Sequence, residues 1–380
     1  FMSVLRYLSG AYEELKSMKV YAKIWVDGEE GVFGRRGRGK TRMIYYMNSG
    51  TIPDEAKITV ITDKGEYLGT IDEQFLQILV PGDVFVLGGR TYKFVRSYGS
   101  LILVKEVEGE RPTVPSWFSE MLPVSYDSAL LIGRFRRTIA KMIDEGVESS
   151  RIIDYIAETY NVEGKDAESI YKYILEEYLF TEGNVPGDDL ILVEVYDEAY
   201  RRNIIFHTLY GRRVNDALSR AYGYVLSKIV SENVKITVTD NGFVLTIPRR
   251  NTDLKKLLDE VSSKNIASLL KDALKNTELL RRRFRHCAER AFMILKRYMD
   301  TEKSVHRLQL SAQNLLKIVE SYKDFPVLKE TYREILEDFM DISNAVNVLK
   351  NIEKGRIKVK VLSPRNVPSP FAHNRLLQGY

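Results

Sequence analysis

Gly34 to Thr41 reads GRRGRGKT and matches the phosphate-cradling pattern G-x-x-x-x-G-K-[ST]. In that pattern backbone N–H groups hold a nucleotide's phosphates, the lysine reaches the outer two, and the hydroxyl serves Mg²⁺. The motif works between a buried strand and a helix whose N-terminus faces the anion. Here the residues that follow, RMIYYMNSGTIP, are aromatic-rich and end at Gly-Thr-Ile-Pro, so they predict a strand instead. Three arginines crowd the loop, and Asp54-Glu55 falls in a turn after Pro53, out of place as a Mg²⁺ partner. The run reads better as a basic loop, with Arg35, Arg36, Arg38, Lys40 and Arg42 suited to a nucleic-acid backbone.

Other chemistry is sparse. His207, His286, His306 and His373 never pair at helical spacing, and Cys287 is the sole cysteine, so no zinc pattern forms. His286 and Cys287 are neighbours, and adjacent helix residues point to different faces, which argues against a nucleophile and its base. No G-x-S-x-G or H-E-x-x-H run appears, while a glycosylase-type site using a single Asp stays open among the many carboxylates. His207, in FHTLYGRRVNDALSRA, reads as a satisfied core histidine. A second basic concentration runs from Lys271 to Arg307, eleven Lys/Arg against five Asp/Glu. Within it Arg281, Arg282, Arg283 and Arg285 are candidates for phosphate contact, with Arg282, Arg285 and Arg290 expected outside an apolar stripe of Phe284, Cys287, Ala288, Ala291 and Leu295. Arg212-Arg213 lies near an element end, where backbone contacts are often made. Trp117 is a lesser candidate, as a base-stacking platform or as a plug packing one domain on the next.

The elements that must position these residues are those of an α+β multidomain chain. Its 380 residues, 44% hydrophobic and 29% charged, suffice for two or three cores, and no apolar run is long enough to span a membrane. The single cysteine fits a reducing cytoplasm, and the formal charge of +5 is too mild to announce a polyanion partner by itself. The pattern divides into five parts. Residues 1–41 hold a helix and a hairpin turning at Asp27-Gly28. Residues 42–118 alternate β-rich runs with Gly-bearing turns, the spacing of a small antiparallel β-barrel. Residues 119–185 are helical, with a boundary at NVPGDD. Residues 186–250 give a strand, a long helix from AYRRNIIFH onward and a hairpin at Asn241-Gly242, an α+β subdomain of winged-helix or ferredoxin-like type. Residues 251–380 are helical with a final strand, IKVKVL.

The segments NSGTIPDE, PGDVFVLGGRTYKF, RPTVPSWFSEMLP, HTLYGRRVNDALSRA, RRRFRHCAERAFMIL and PSPFAHN together resemble the archaeal large helicase-related family of superfamily 2 helicases. They cover nearly the whole chain, and in that family they lie after the two motor domains, near and beyond the winged helix. The resemblance thus implies that residues 1–41 are the end of a winged-helix-like region and a linker hairpin into the barrel. The resemblance implies ATP-driven 3′-to-5′ translocation, with unwinding of forked DNA or RNA–DNA hybrids in repair or recombination. ATP and Mg²⁺ would belong to an upstream motor, and no cofactor is expected in this chain. Its partners would be that motor and single-stranded or forked DNA, with RNA or a hybrid as further ligands. The chain itself would be non-catalytic, and both ends read as cut. A stand-alone ATPase using residues 34–41, a glycosylase-like enzyme and a protein-interaction platform are the competing readings.

Overall fold

The computed structural model describes all residues except 19, 21, 38, 51–56, 73–74, 77–78, 80, 99, 109–121, 299–300, 303–304, 323 and 378–380. It divides into two compact units, each built from two stretches of chain: Phe1–Phe118 with Leu274–Asp338, and Ser119–Ala273 with Phe339–Tyr380. The helical last third is thus divided between the two units.

The first unit opens with helices α1 (Met2–Leu8) and α2 (Glu13–Ser17), then a hairpin of β1 (Ile24–Asp27) and β2 (Val32–Arg35). The Asp27 carboxylate closes the turn by accepting from the amides of Glu29 (2.9 Å) and Glu30 (3.1 Å). Next comes α3 (Lys40–Asn48), where the sequence predicts a strand. The reason is on the surface: Tyr45 and Tyr46 are both exposed while Ile44 is buried. A strand would send consecutive tyrosines to opposite faces, whereas a helix lets both face outward.

Strands β3 (Lys57–Thr62), β4 (Tyr67–Asp72), β5 (Val84–Leu87), β6 (Arg90–Tyr98) and β7 (Leu101–Glu106) form a sheet in the order β4-β3-β7-β6-β5. Its alternating residues Ile58, Val60, Tyr92, Phe94, Ile102 and Val104 make the core with Phe85. The expected barrel was antiparallel throughout. Here β3 and β7 run parallel, and among the described residues β4 and β5 remain as edges.

In the second unit the helices Tyr126–Asp144, Ser149–Tyr160 and Gly164–Phe180 follow the predicted helical stretch closely. Ser125 caps the first by accepting from the Ser128 amide at 3.2 Å. Then come β8 (Leu190–Asp197), β9 (Arg201–His207), the helix Arg212–Val230, β10 (Lys235–Thr239) and β11 (Gly242–Pro248). The sequence predicts a helix over the residues of β9. Ile204, Ile205, Phe206 and His207 are all buried, so this central strand is covered on both faces and carries no alternation to betray it. Two strands precede the helix, which departs from the strand–helix–strand opening of a ferredoxin-like fold.

The chain then adds helices Leu254–Asp259 and Ile266–Leu274 before re-entering the first unit as Glu278–Arg290. A two-residue ladder of β12 (Arg297–Tyr298) and β13 (Thr301–Glu302) leads to helices Val305–Val319 and Pro326–Arg333 and a π-helical turn, Glu334–Phe339. It ends in the second unit with helix Ile342–Glu353, β14 (Lys358–Val361) and helix Pro370–Leu377. Strand β14 pairs parallel with β8, completing the order β10-β11-β9-β8-β14.

Candidate nucleic-acid interface

The basic loop predicted from sequence sits at the root of the β1–β2 hairpin, in the first unit. Lys23, just before β1, anchors it through its carbonyl, which accepts from the Arg36 amide (3.0 Å) and the Thr41 hydroxyl (3.0 Å). Arg35, Arg36, Lys40 and Arg42 are all exposed, and the Arg42 guanidinium lies 5.5 Å above the Tyr46 ring. Arg38 and Trp117 lie outside the described residues.

This geometry also tests the nucleotide motif. A helix does begin at Lys40, but the strand before it is an exposed ribbon and no buried sheet strand. Thr41 Oγ1 donates between two backbone carbonyls, Lys23 at 3.0 Å and Arg36 at 2.9 Å, and so serves the loop's own backbone. These residues do not fit a nucleotide with its Mg²⁺.

Around the basic side chains stand aromatics that the sequence reading did not single out. Trp25 and Phe33 project from the hairpin, and Tyr45 and Tyr46 from α3; each is roughly half exposed or more. Trp25 pairs directly with Gly34 across the ribbon. The Asp27-Gly28 turn, whose register places a glycine opposite the tryptophan, was the signal that could have found it. The hairpin is polarised, with Asp27, Glu29 and Glu30 at its tip and the cations at its root. Interleaved cations and aromatic faces are what sequence-tolerant single-strand binding uses.

The second basic cluster is built differently. On helix Glu278–Arg290 the arginines are drawn into ion pairs along a partly exposed face, with Arg290 itself exposed. Arg281 pairs with Glu278 (2.5 Å), Arg283 with Glu334 (3.4 Å), and Arg290 also with Glu334, whose carboxylate is itself buried. Arg285, expected outside the apolar stripe, is 1% exposed. It donates to Nε2 of His286 at 3.0 Å, which requires a neutral imidazole. Burial first, then the charge of Arg285, Arg282, Arg283 and Arg290, lowers the His286 pKa to about 2. Arg282 is half-buried on the same helix. Helical periodicity sets Arg285 off the apolar stripe by angle, but does not show that this position is buried.

In the second unit Arg212 and Arg213 open the helix Arg212–Val230, both half-buried. The Arg212 amide donates to the Asp240 carboxylate at 3.0 Å, and Arg213 donates to the Met340 carbonyl at 3.1 Å. The adjoining motif residues explain themselves as packing. Asn215, fully buried, donates its amide to the carbonyls of Thr208 (2.9 Å), Thr239 (2.9 Å) and Asp240 (3.1 Å). Gly211 has φ +80°, and a Cβ there would meet the Val124 carbonyl oxygen at 2.4 Å. His207 is buried with Nε2 2.7 Å from Glu194, whose carboxylate also accepts from the Ser369 hydroxyl (2.9 Å) and amide (3.2 Å). Burial pushes the Glu194 carboxyl up, but the His207 and Ser369 contacts outweigh it and hold it below the usual range. His207 is the satisfied core histidine that its setting predicts.

Comparison with known proteins places this architecture. The family model for the large helicase-related protein winged helix domain matches residues 1–114, and a DEAD/H associated model matches residues 185–372. The ATP-dependent helicase Lhr-Core of Saccharolobus solfataricus is 51% identical over 99% of this chain, and that of Methanothermobacter thermautotrophicus 45% over 100%. The chain spans only 43% and 44% of the lengths of these two relatives. Among solved structures, the Mycobacterium smegmatis helicase Lhr bound to ssDNA and AMP-PNP shares the fold at a TM-score of 0.69 and 21% identity, over 98% of this chain and 42% of that one. With both models matched and archaeal relatives aligned along its full length, the chain belongs to the large helicase-related family.

Proposed function

We propose that this chain is the strand-gripping and architectural region of an ATP-dependent helicase of the large helicase-related type. The observation that carries this is the exposed root of the β1–β2 hairpin, where Arg35, Arg36, Lys40 and Arg42 stand among Trp25, Tyr45 and Tyr46. The full-length helicase would move 3′-to-5′ along single-stranded nucleic acid and open forks or RNA–DNA hybrids in DNA repair or recombination. Its ATP and Mg²⁺ would be held by motor domains outside this chain, in keeping with the poor fit of Gly34–Thr41 to a nucleotide. Residues 1–114 supply the winged-helix part of this reading. The ssDNA in the Mycobacterium smegmatis relative supports a single-stranded ligand, and the cytoplasm is the expected compartment.

Anisotropy titrations against single-stranded DNA, single-stranded RNA and a fork test the proposal. If four basic side chains each meet a phosphate, raising salt from 50 to 200 mM weakens single-strand binding about fifty-fold. Absence of binding to all three ligands at low salt would overturn the reading and favour docking of an acidic protein on these cations.

A further inference from the structure

Trp25 is set on its ribbon in an unusual way. Its cross-strand partner is Gly34, and its ring fills the place where that residue's side chain would be. A Cβ built on Gly34 would stand 2.7 Å from Cζ2, 2.9 Å from Cε2 and 3.0 Å from Nε1 of the indole. The indole is thus seated on bare backbone, which fixes its ring where a flexible neighbour would let it turn. Yet the residue is 48% exposed. One side of the ring is held by the ribbon and another is open to solvent.

Position and charge say what would cover the open side. Gly34 is followed at once by Arg35 and Arg36, with Lys40 and Arg42 on the next helix, all exposed. The acidic residues Asp27, Glu29 and Glu30 are confined to the far end of the hairpin. An apolar protein partner gains nothing from this division. A polyanion does, because its phosphates are drawn to the root and repelled from the tip. A polyanion that also carries flat, weakly polar rings satisfies both the cations and the indole.

We propose that Trp25, seated on Gly34, is a base-stacking platform for single-stranded nucleic acid, with the strand's phosphates running over Arg36, Lys40 and Arg42. This rests on the strand-gripping function proposed above and adds a residue and a mode of contact to it. It also assigns Gly34 a role as the seat of the ring.

The test uses indole fluorescence and two ligands: oligothymidylate, and an abasic phosphodiester oligomer of the same length. Oligothymidylate is expected to quench the emission and the abasic oligomer to leave it unchanged. Trp25→Phe, which keeps a ring in the ribbon and leaves Trp117 as the only indole, removes the quenching. Trp25→Ala weakens oligothymidylate binding about tenfold, or about 1.4 kcal/mol, and leaves abasic binding unaltered. Gly34→Ala, which displaces the indole without removing it, reduces the quenching while the far-ultraviolet circular dichroism is retained. Quenching that survives in Trp25→Phe, or equal affinity of Trp25→Ala for oligothymidylate, overturns the platform alone, because the chain still binds. Failure of the native chain to bind either oligomer overturns the strand-gripping function itself.

Discussion

Replacing Lys23 by Met is expected to stabilise the first unit, and to do so only on the acid side of about pH 10. Lys23 is 5% exposed, and its Nζ has no hydrogen-bond partner among the described residues. The Tyr7 ring, 5.0 Å away, is the favourable contact it does have. Burial lowers its pKa from 10.5 to about 8. At about 1.36 kcal/mol per pH unit, carrying the charge into the fold costs about 3 kcal/mol. The ring returns about 1 kcal/mol of that, leaving about 2 kcal/mol for Met to recover at pH 7. The sign with pH follows from proton counting. Between pH 8 and 10.5 the unfolded chain holds a proton that the folded chain has shed, so stability rises with pH across this window. The advantage of Lys23→Met should therefore be full at pH 7 and nearly gone at pH 10. Urea unfolding of both proteins at the two pH values measures it, tyrosine titration being common to the pair. A destabilised variant, or a gain that is the same at both pH values, would refute the reasoning.

Three other perturbations probe the packing around the motifs. Below pH 6.5 the unfolded chain protonates His286 while the fold keeps it neutral to about pH 2. Stability should thus fall on acidification by up to about 1.4 kcal/mol per pH unit from this group, and His286→Gln should flatten that slope in urea midpoints taken at pH 7 and pH 5. Glu334→Gln leaves Arg283 and Arg290 without their shared carboxylate and should cost about 3 kcal/mol in denaturant unfolding. Asn215→Ala removes a donor from one buried and two partly buried carbonyls and should cost about 1 to 2 kcal/mol, seen as a lowered Tm in calorimetry.

Much of the second unit was legible in the sequence because its signals are local. The helices from Tyr126 to Phe180 show their 3.6-residue stripe, and β10 and β11 announce themselves by Asn241-Gly242. What failed were the places where burial is decided by distant chain. RRNIIFH is a strand whose Asn203 to His207 are all buried, and Arg285 is buried on a helix against which Val305–Val319 and Pro326–Arg333 pack, contacts that sequence spacing does not show. RMIYYMN has the aromatic content of a strand, yet a single buried side, at Ile44, fixes it as a helix. The candidate interface divides the same way. The cations at 35–42 could be read directly, while Trp25 becomes interesting only once its pairing with Gly34 is known.

The central claim is that the exposed root of the β1–β2 hairpin, rather than the arginine-rich helix, holds the nucleic acid. The most direct measurement is the affinity of two triple variants for single-stranded DNA at low salt, each checked for folding by circular dichroism. Arg35→Ala/Arg36→Ala/Arg42→Ala should bind at least tenfold more weakly and show a shallower salt dependence, with its fold intact. Arg281→Ala/Arg282→Ala/Arg283→Ala should lose stability but, where still folded, bind as the native chain does. Unchanged binding by the first variant, together with weakened binding by a folded second variant, would contradict the account.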